Sequence, residues 1–343
     1  MATIHDLPAE IITHILGFVH TRFAFNSYAD AEPVRDLGRA TRVSKRFRAC
    51  GQPLLWWSIR LRTYKAAKKL LASPDLGRYH TDELEIYVCY PDHTERESEQ
   101  RFSSYSAILY GLKGVKNLCM SGTYKSVDTA WIGAPNLRGL EYLNINIEIE
   151  DSPIPTPHFA LSSLALGPST VSPSFIHSIF TSSSHSLTYL KIDPYFEGNP
   201  VLNSLPLLYN TLEFLKITDN LPGLEVLLPS FTALTEFSID MVHYGNEDVF
   251  EEFIDNIFIA LPSSVTWLEL SLHQPEEVMM SSMEHIVECL NGGKVGWEKL
   301  TELDCGLWVG GAVKEGVQEL EGWEELVEVC EEREVVLTAV RNY

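Results

Sequence analysis

Along most of this chain, apolar side chains recur in a fixed triplet: apolar, two residues, apolar, one residue, apolar. The copies are Val115/Leu118/Met120, Leu140/Leu143/Ile145, Leu161/Leu164/Leu166, Leu187/Leu190/Ile192, Leu212/Leu215/Ile217, Leu234/Phe237/Ile239, Val265/Leu268/Leu270 and Leu300/Leu303/Cys305. A weaker copy stands earlier, at Leu84/Ile86. The middle residues are 25, 21, 26, 25, 22, 31 and 35 positions apart. The last two apolar residues of each triplet are two apart, which on a strand puts both on one face. A short strand signature repeating at roughly 20–29 residues or somewhat more marks stacked parallel rungs. The pattern predicts an α/β solenoid whose concave face is a parallel sheet, and such a fold favours a binding surface over an active site.

Between the triplets, periodicity changes to that of helices. Phe250, Phe253, Ile254, Ile257, Phe258 and Leu261 keep helical spacing in the 31-residue interval. Met283, Ile286, Val287 and Leu290 do so in the 35-residue interval. The 21- and 22-residue intervals have room only for loop. Residues 315–334 interleave nine glutamates with Trp323, Leu326, Val327 and Cys330, the pattern of a capping helix with a solvated acidic face.

The N-terminal stretch is different. Residues 7–19 read as a helix, with Pro8 in the first turn and Glu10 at its positive end. Ile11, Ile15 and Phe18 form one apolar stripe, and Ile12, Leu16 and Val19 form the next. That face is wider than one flank of a small domain buries, so the surplus calls for a second partner. Residues 20–33 read as an irregular loop, a helical pattern resumes from Pro33 to Cys50, and another helix covers 64–72. Leu7-Pro8-Ala9-Glu10-Ile11-Ile12 with Ile15-Leu16, then Leu37, then Val43-Ser44-Lys45-Arg46-Phe47-Arg48, then Leu55-Trp56, together resemble an F-box. Residues 20–35 form an insertion between its first two helices that is longer than the usual turn. The stretch from Lys68 to Tyr79 into Leu84-Glu85-Ile86 resembles the link from F-box to leucine-rich repeats in many fungal proteins. The repeats resemble degenerate leucine-rich repeats. Of the family's Asn eight residues after the first Leu, only Asn220 remains.

The resemblance implies three parts: an F-box-like helical domain at 1–60, a linker helix at 61–80 and a solenoid at 81–343. It implies a Skp-type adaptor and, through it, a cullin complex as partners. By position, Leu7, Pro8, Ile11, Ile15, Leu16, Leu37, Val43 and Trp56 match the adaptor-binding surface. The implied role is that of a substrate-receptor subunit of an SCF-type ubiquitin ligase. Alternatives are an adaptor-independent scaffold and, from another class, a hydrolase with scattered Ser, His and Asp.

Charge reinforces the division. Residues 1–80 hold 13 Lys/Arg and 6 Asp/Glu, whereas residues 81–343 hold 13 and 41. An acidic module is a poor match for nucleic acid, which requires clustered cations. No apolar run approaches the ~18 residues of a membrane span. There is no signal-peptide pattern, no Asn-x-Ser/Thr sequon and no Cys-x-x-Cys among the six cysteines, so a cytoplasmic or nuclear protein with reduced thiols is expected. Nucleophile elbows, phosphate-cradling loops and dinucleotide fingerprints are missing, and no cofactor or metal is expected. His285 and Cys289 are an i, i+4 pair with metal-ligand chemistry, but they stand alone.

The residues between the inward positions point outward. Their first column reads Asn117, Tyr142, Ser163, Tyr189, Phe214, Glu236, Trp267 and Glu302. The second reads Cys119, Asn144, Ala165, Lys191, Lys216, Ser238, Glu269 and Asp304. Lys191 and Lys216 are the only Lys or Arg between Arg138 and Lys294, and they occupy equivalent places on adjacent rungs. Like charges side by side repel, so a counter-charge is expected; Asp193, Glu213 or other local carboxylates are the candidates. Tyr189, Lys191, Phe214 and Lys216, with Tyr142 and Trp267, form the candidate target-binding patch. Its chemistry suits an acidic or phosphorylated segment with an apolar anchor.

Overall fold

The computed structural model describes residues 7–21, 37–88, 104–122, 129–149, 153–167, 171–193, 201–218, 221–241, 253, 255–272, 276–292, 297–309, 312–313 and 322–339. The chain forms two compact units: residues 1–124 with 130–140, and residues 125–129 with 141–343. Among the described residues no helix is long and apolar enough to cross a membrane.

The first unit begins with α1 (Ala9–Thr21), which packs on α2 (Lys45–Trp57). Ile12, Leu16, Leu37 and Phe47 are the buried centre of this helical module, with Leu7, Ala40, Cys50, Leu54 and Leu55 packed around them. The helical pattern expected from Pro33 to Cys50 is broken at Thr41–Ser44. Ser44 is extended and its Oγ accepts from the Phe47 amide at 3.2 Å, so α2 starts there with a new N-cap. The loop and insertion expected at 20–35 lie almost wholly outside the described residues.

Strand β1 (Ser58–Leu61) follows α2 directly, and α3 (Tyr64–Leu71) carries the chain to β2 (Glu83–Val88). β1 pairs β2 in parallel, and β2 pairs β3 (Asn117–Gly122) in parallel. The helix expected within 61–80 is α3, and it lies in the crossover of the first parallel strand pair. Thr63 accepts from the Ala66 amide at 3.2 Å and starts α3. Asp82 ties the module to the sheet: its amide donates to the Trp57 carbonyl, and its carbonyl accepts from Lys116 and Asn117. The turn before β2 depends on Gly77, at φ +73°. A Cβ there would be driven into the Gly111 carbonyl oxygen, which is backbone and has little freedom to yield. Gly77→Ala is expected to cost about 2–4 kcal/mol, the left-handed strain plus overpacking. Urea denaturation of the purified variant measures it.

In the second unit the rungs follow one another in chain order. They are β4 (Tyr142–Asn146), β5 (Ser163–Leu166), β6 (Tyr189–Ile192), β7 (Phe214–Ile217), β8 (Glu236–Met241), β9 (Trp267–Leu272) and β10 (Glu302–Val309), each parallel to the next. β11 (Ala312–Val313) pairs antiparallel with the end of β10, and β12 (Val336–Ala339) pairs with β10 in parallel. Leu143, Leu164, Leu190, Leu215, Phe237, Leu268 and Leu303 stand in one register across seven strands. Every residue of the eight triplets is buried, none more than 4% exposed.

A second repeat lies just after the first apolar residue of five of the eight triplets. Ser162 donates its hydroxyl to the Glu141 carbonyl at 3.1 Å, Thr188 to Ser162, Thr235 to Glu213, Thr266 to Thr235, and Thr301 to Thr266 at 3.1 Å. Backbone amides of the following rung converge on those same carbonyls. This hydroxyl ladder satisfies the backbone where each rung turns into its strand. Asn220, eight residues after Leu212, lies outside the described residues.

Helices cover the longer intervals. The helix over 276–291 buries Met283, Ile286, Val287 and Leu290. Residues 255–259 are helical, with Phe253, Ile257, Phe258 and Leu261 buried; Phe250 and Ile254 lie outside the described residues. A further helix, Pro173–Ser183, is capped by Ser172. The 22-residue interval also holds one helical turn, Leu224–Leu227, where only loop was expected. A single turn is too short for helical periodicity to register. The acidic helix Trp323–Glu332 buries Trp323, Leu326, Val329 and Cys330, while its glutamates face solvent.

Candidate functional site

The outward rows of the second unit are built by the same register that builds its core. Tyr189 pairs with Phe214, Phe214 with Glu236, Glu236 with Trp267, and Trp267 with Glu302. Side chains alternate along a strand, so burying the leucines turns these residues to the other face. Tyr189 and Phe214 stack with ring centroids 4.6 Å apart and planes 10° apart. Phe214 and Trp267 stack at 6.0 Å and 28°, their rings leaning toward each other over β8. The Trp267 ring is held by its indole N–H, which donates to Asp304 Oδ2 at 3.0 Å. The result is an aromatic ladder, partly exposed, running across four strands. Burial pushes the Tyr189 phenol up from its ordinary value, and the Glu269 carboxylate adds to the shift. Tyr142 occupies the same row, beyond Ser163.

The second row carries the charges. Lys191 and Lys216 are in register on β6 and β7, and Ser238 and Glu269 follow on β8 and β9. Lys216 Nζ lies 3.4 Å from Glu269 Oε2 and 3.5 Å from Asp240 Oδ2. Ser238 sits between them and donates its hydroxyl to the same Glu269 carboxylate. The counter-charge expected from the repulsion is present at Lys216, where other local carboxylates, those of Asp240 and Glu269, supply it. The reason is the small Ser238 side chain, over which a long lysine and a glutamate meet from strands on either side. Lys191 makes no ion pair among the described residues.

This changes the chemistry of the patch. Lys216 is a structural cation, already neutralised, and no free lysine pair remains for a phosphate. Among the described residues of β6 to β10 the outward face carries two lysines, Lys191 and Lys216, against five carboxylates: Glu236, Asp240, Glu269, Glu302 and Asp304. Glu236 and Glu302 are exposed and flank Trp267 directly on its two neighbouring strands.

Other chemistry on the chain resolves into structure. Among the described residues, no group of three or more His, Cys, Asp or Glu is placed to hold a metal ion. His285 Nδ1 pairs with Asp255 Oδ1 at 3.2 Å, and Cys289 is buried. In the first unit, burial and the nearby Glu85 carboxylate push the Cys119 thiol up to about 11. It is protonated at neutral pH, and a thiol is a weak nucleophile and metal ligand.

The helical module offers a second surface. Of the positions matched to an adaptor face, Pro8, Ile11, Ile15 and Val43 are exposed, with Ile11 at 45%, Ile15 at 41% and Val43 at 61%. Leu7 is partly buried. Leu16, Leu37 and Trp56, expected on that surface, are instead interior, at 2%, 0% and 7%. Leu16 and Leu37 fill the space between α1 and α2, and the Trp56 ring meets that of Tyr79 at 6.1 Å. Trp57, which the sequence pattern did not single out, is 43% exposed beside Trp56.

No curated protein matches the chain. Residues 4–62 match the F-box-like family model, and that span takes in α1, α2 and β1. The chain thus carries an F-box-like domain, and its helical module is that domain.

Proposed function

We propose that this chain is the substrate-receptor subunit of an SCF-type, cullin-RING ubiquitin ligase. One observation carries the reading: the segment that matches the F-box-like model leaves apolar side chains outside its own core. Ile11 and Ile15 are one turn apart on α1, and both face solvent while Ile12 and Leu16 are buried. Exposed aliphatic side chains in this arrangement suit a protein partner. Pro8, Ile11, Ile15 and Val43, with Leu7 at the edge, form the docking face for a Skp-type adaptor, and the adaptor brings the cullin complex. The outward rows of the second unit hold the target. Tyr189, Phe214 and Trp267 supply the contact area, Tyr142 and Lys191 extend it, and Lys216 holds the neighbouring carboxylates in place.

No catalytic group is assigned to this chain in that role. Its contribution is proximity: holding target lysines near a charged thioester turns an encounter between molecules into a step within one assembly. Good positioning contributes on the order of several kcal/mol to a barrier. On this reading the protein works in the cytoplasm, the nucleus or both.

The test is co-purification of the full chain with a Skp-type adaptor. A 1:1 complex on gel filtration is expected, and addition of the cullin and RING subunits should give a complex active in ubiquitin discharge. A chain that elutes alone, apart from the adaptor, overturns the proposal and leaves a solenoid scaffold.

A further inference from the structure

The target-holding face has a polarity that its aromatic residues alone do not reveal. This inference rests on reading the outward rows of the second unit as the target surface. The ladder ends at Trp267, whose ring is fixed by Asp304 and stacked on Phe214. Glu236 and Glu302 stand on the two adjacent strands in the same row, both exposed. Neither makes an ion pair among the described residues. The nearest cation in register, Lys216, is held by Asp240 and Glu269. Lys191 is three strands from Trp267, beside the opposite end of the ladder.

An aromatic face attracts a cation above its ring, and a carboxylate beside that ring strengthens the attraction. Guanidinium suits this arrangement better than ammonium. It is flat, stacks on aromatic rings and bonds carboxylates through a rigid fork of donors. From residue 139 to residue 293 the chain has no Lys or Arg besides Lys191 and Lys216, so little of its own charge competes for these glutamates. We propose that the Phe214–Trp267 end of the ladder, with Glu236 and Glu302, binds an arginine of a basic target segment, the guanidinium lying over Trp267 and reaching the two carboxylates. The substrate class is therefore a basic, arginine-containing segment, and not the phosphorylated or acidic one that two free lysines would have favoured.

Fluorescence anisotropy with the full chain at about 0.15 M salt, where the screening length is about 8 Å, tests this. The probes are labelled heptapeptides: serine alternating with arginine, the same peptide with glutamine for arginine, and one with phosphoserine and glutamate. The arginine peptide should bind at least tenfold more tightly than either other. Glu236→Gln with Glu302→Gln should weaken it at least tenfold, and Trp267→Leu should do the same. Glu324→Gln with Glu325→Gln, on the exposed face of the acidic helix, should leave it within twofold. Absence of arginine-peptide binding overturns the inference, as does preference for the phosphorylated peptide. So does equal weakening by the two pairs of Glu→Gln changes, which would show only a generally acidic surface. Adaptor capture is measured on the same preparations. Capture kept while arginine binding fails overturns this inference alone, whereas capture lost while arginine binding persists overturns the ligase reading alone.

Discussion

Ile15→Glu is expected to abolish adaptor capture and leave the protein folded, whereas Leu16→Glu, one residue on, is expected to unfold the helical module. Ile15 is 41% exposed and Leu16 is 2% exposed. A glutamate at 15 keeps its water in the free chain, so the unfolding midpoint should move by no more than about 2 °C, a change of a few tenths of a kcal/mol. Burying the same carboxylate under an apolar adaptor surface costs several kcal/mol. A loss of about 3 kcal/mol already corresponds to more than a hundredfold in affinity. At 16 the carboxylate would enter the cluster of Ile12, Leu37 and Phe47 with no partner charge among those side chains. That penalty is comparable to the whole stability of a small domain, about 5–15 kcal/mol. Pull-down with the adaptor and thermal unfolding by circular dichroism separate the two outcomes. Capture retained by the folded Ile15 variant would remove that side chain from the docking face.

The second large effect contrasts two aromatics on adjacent strands. Phe237→Ala should cost about 3–5 kcal/mol, because its ring is fully buried and its loss leaves a cavity in the inner row between Leu215 and Leu268. Phe214→Ala should cost only about 1 kcal/mol, the size of an aromatic-pair contribution, since its ring is partly exposed and stacked on Tyr189 and Trp267. Target binding should show the reverse order, with Phe214→Ala the more damaging of the two. In a stack of rungs the unfolding transition need not be all-or-none, so hydrogen exchange across β6 to β9 is the appropriate measurement. Protection lost in those strands for Phe237→Ala and kept for Phe214→Ala is the expected result.

The spacing of apolar residues carried much of the fold. The triplets located all seven rungs of the second unit and β3 of the first, with the correct residues turned inward. Both outward columns match the observed register for every strand pair from β4 to β10. Ser or Thr also stands directly after the first apolar residue at 162, 188, 235, 266 and 301. Those hydroxyls form the ladder at the strand starts. The helix Pro173–Ser183 was missed although Ser172 followed by Pro173 is a helix-start signal.

The candidate site was legible as positions but not as chemistry. Lys191 and Lys216 look equivalent in sequence, and the structure makes them unlike. Lys216 finds Glu269, 53 residues away, because Ser238 leaves space between them. On α1 the sequence showed two apolar stripes and gave no means of ranking them. α2 and Leu37 cover the stripe of Ile12 and Leu16, which leaves Ile11 and Ile15 outside.

By itself the sequence determined the rungs, their facing and the separate helical start, because strand alternation and helix periodicity are local and repeat along the chain. The tertiary structure alone decided which lysine is neutralised, which rings stack, and which face of the first helix remains open. Those outcomes depend on side chains from strands and helices distant in sequence meeting in space, and on the size of whatever residue lies between them.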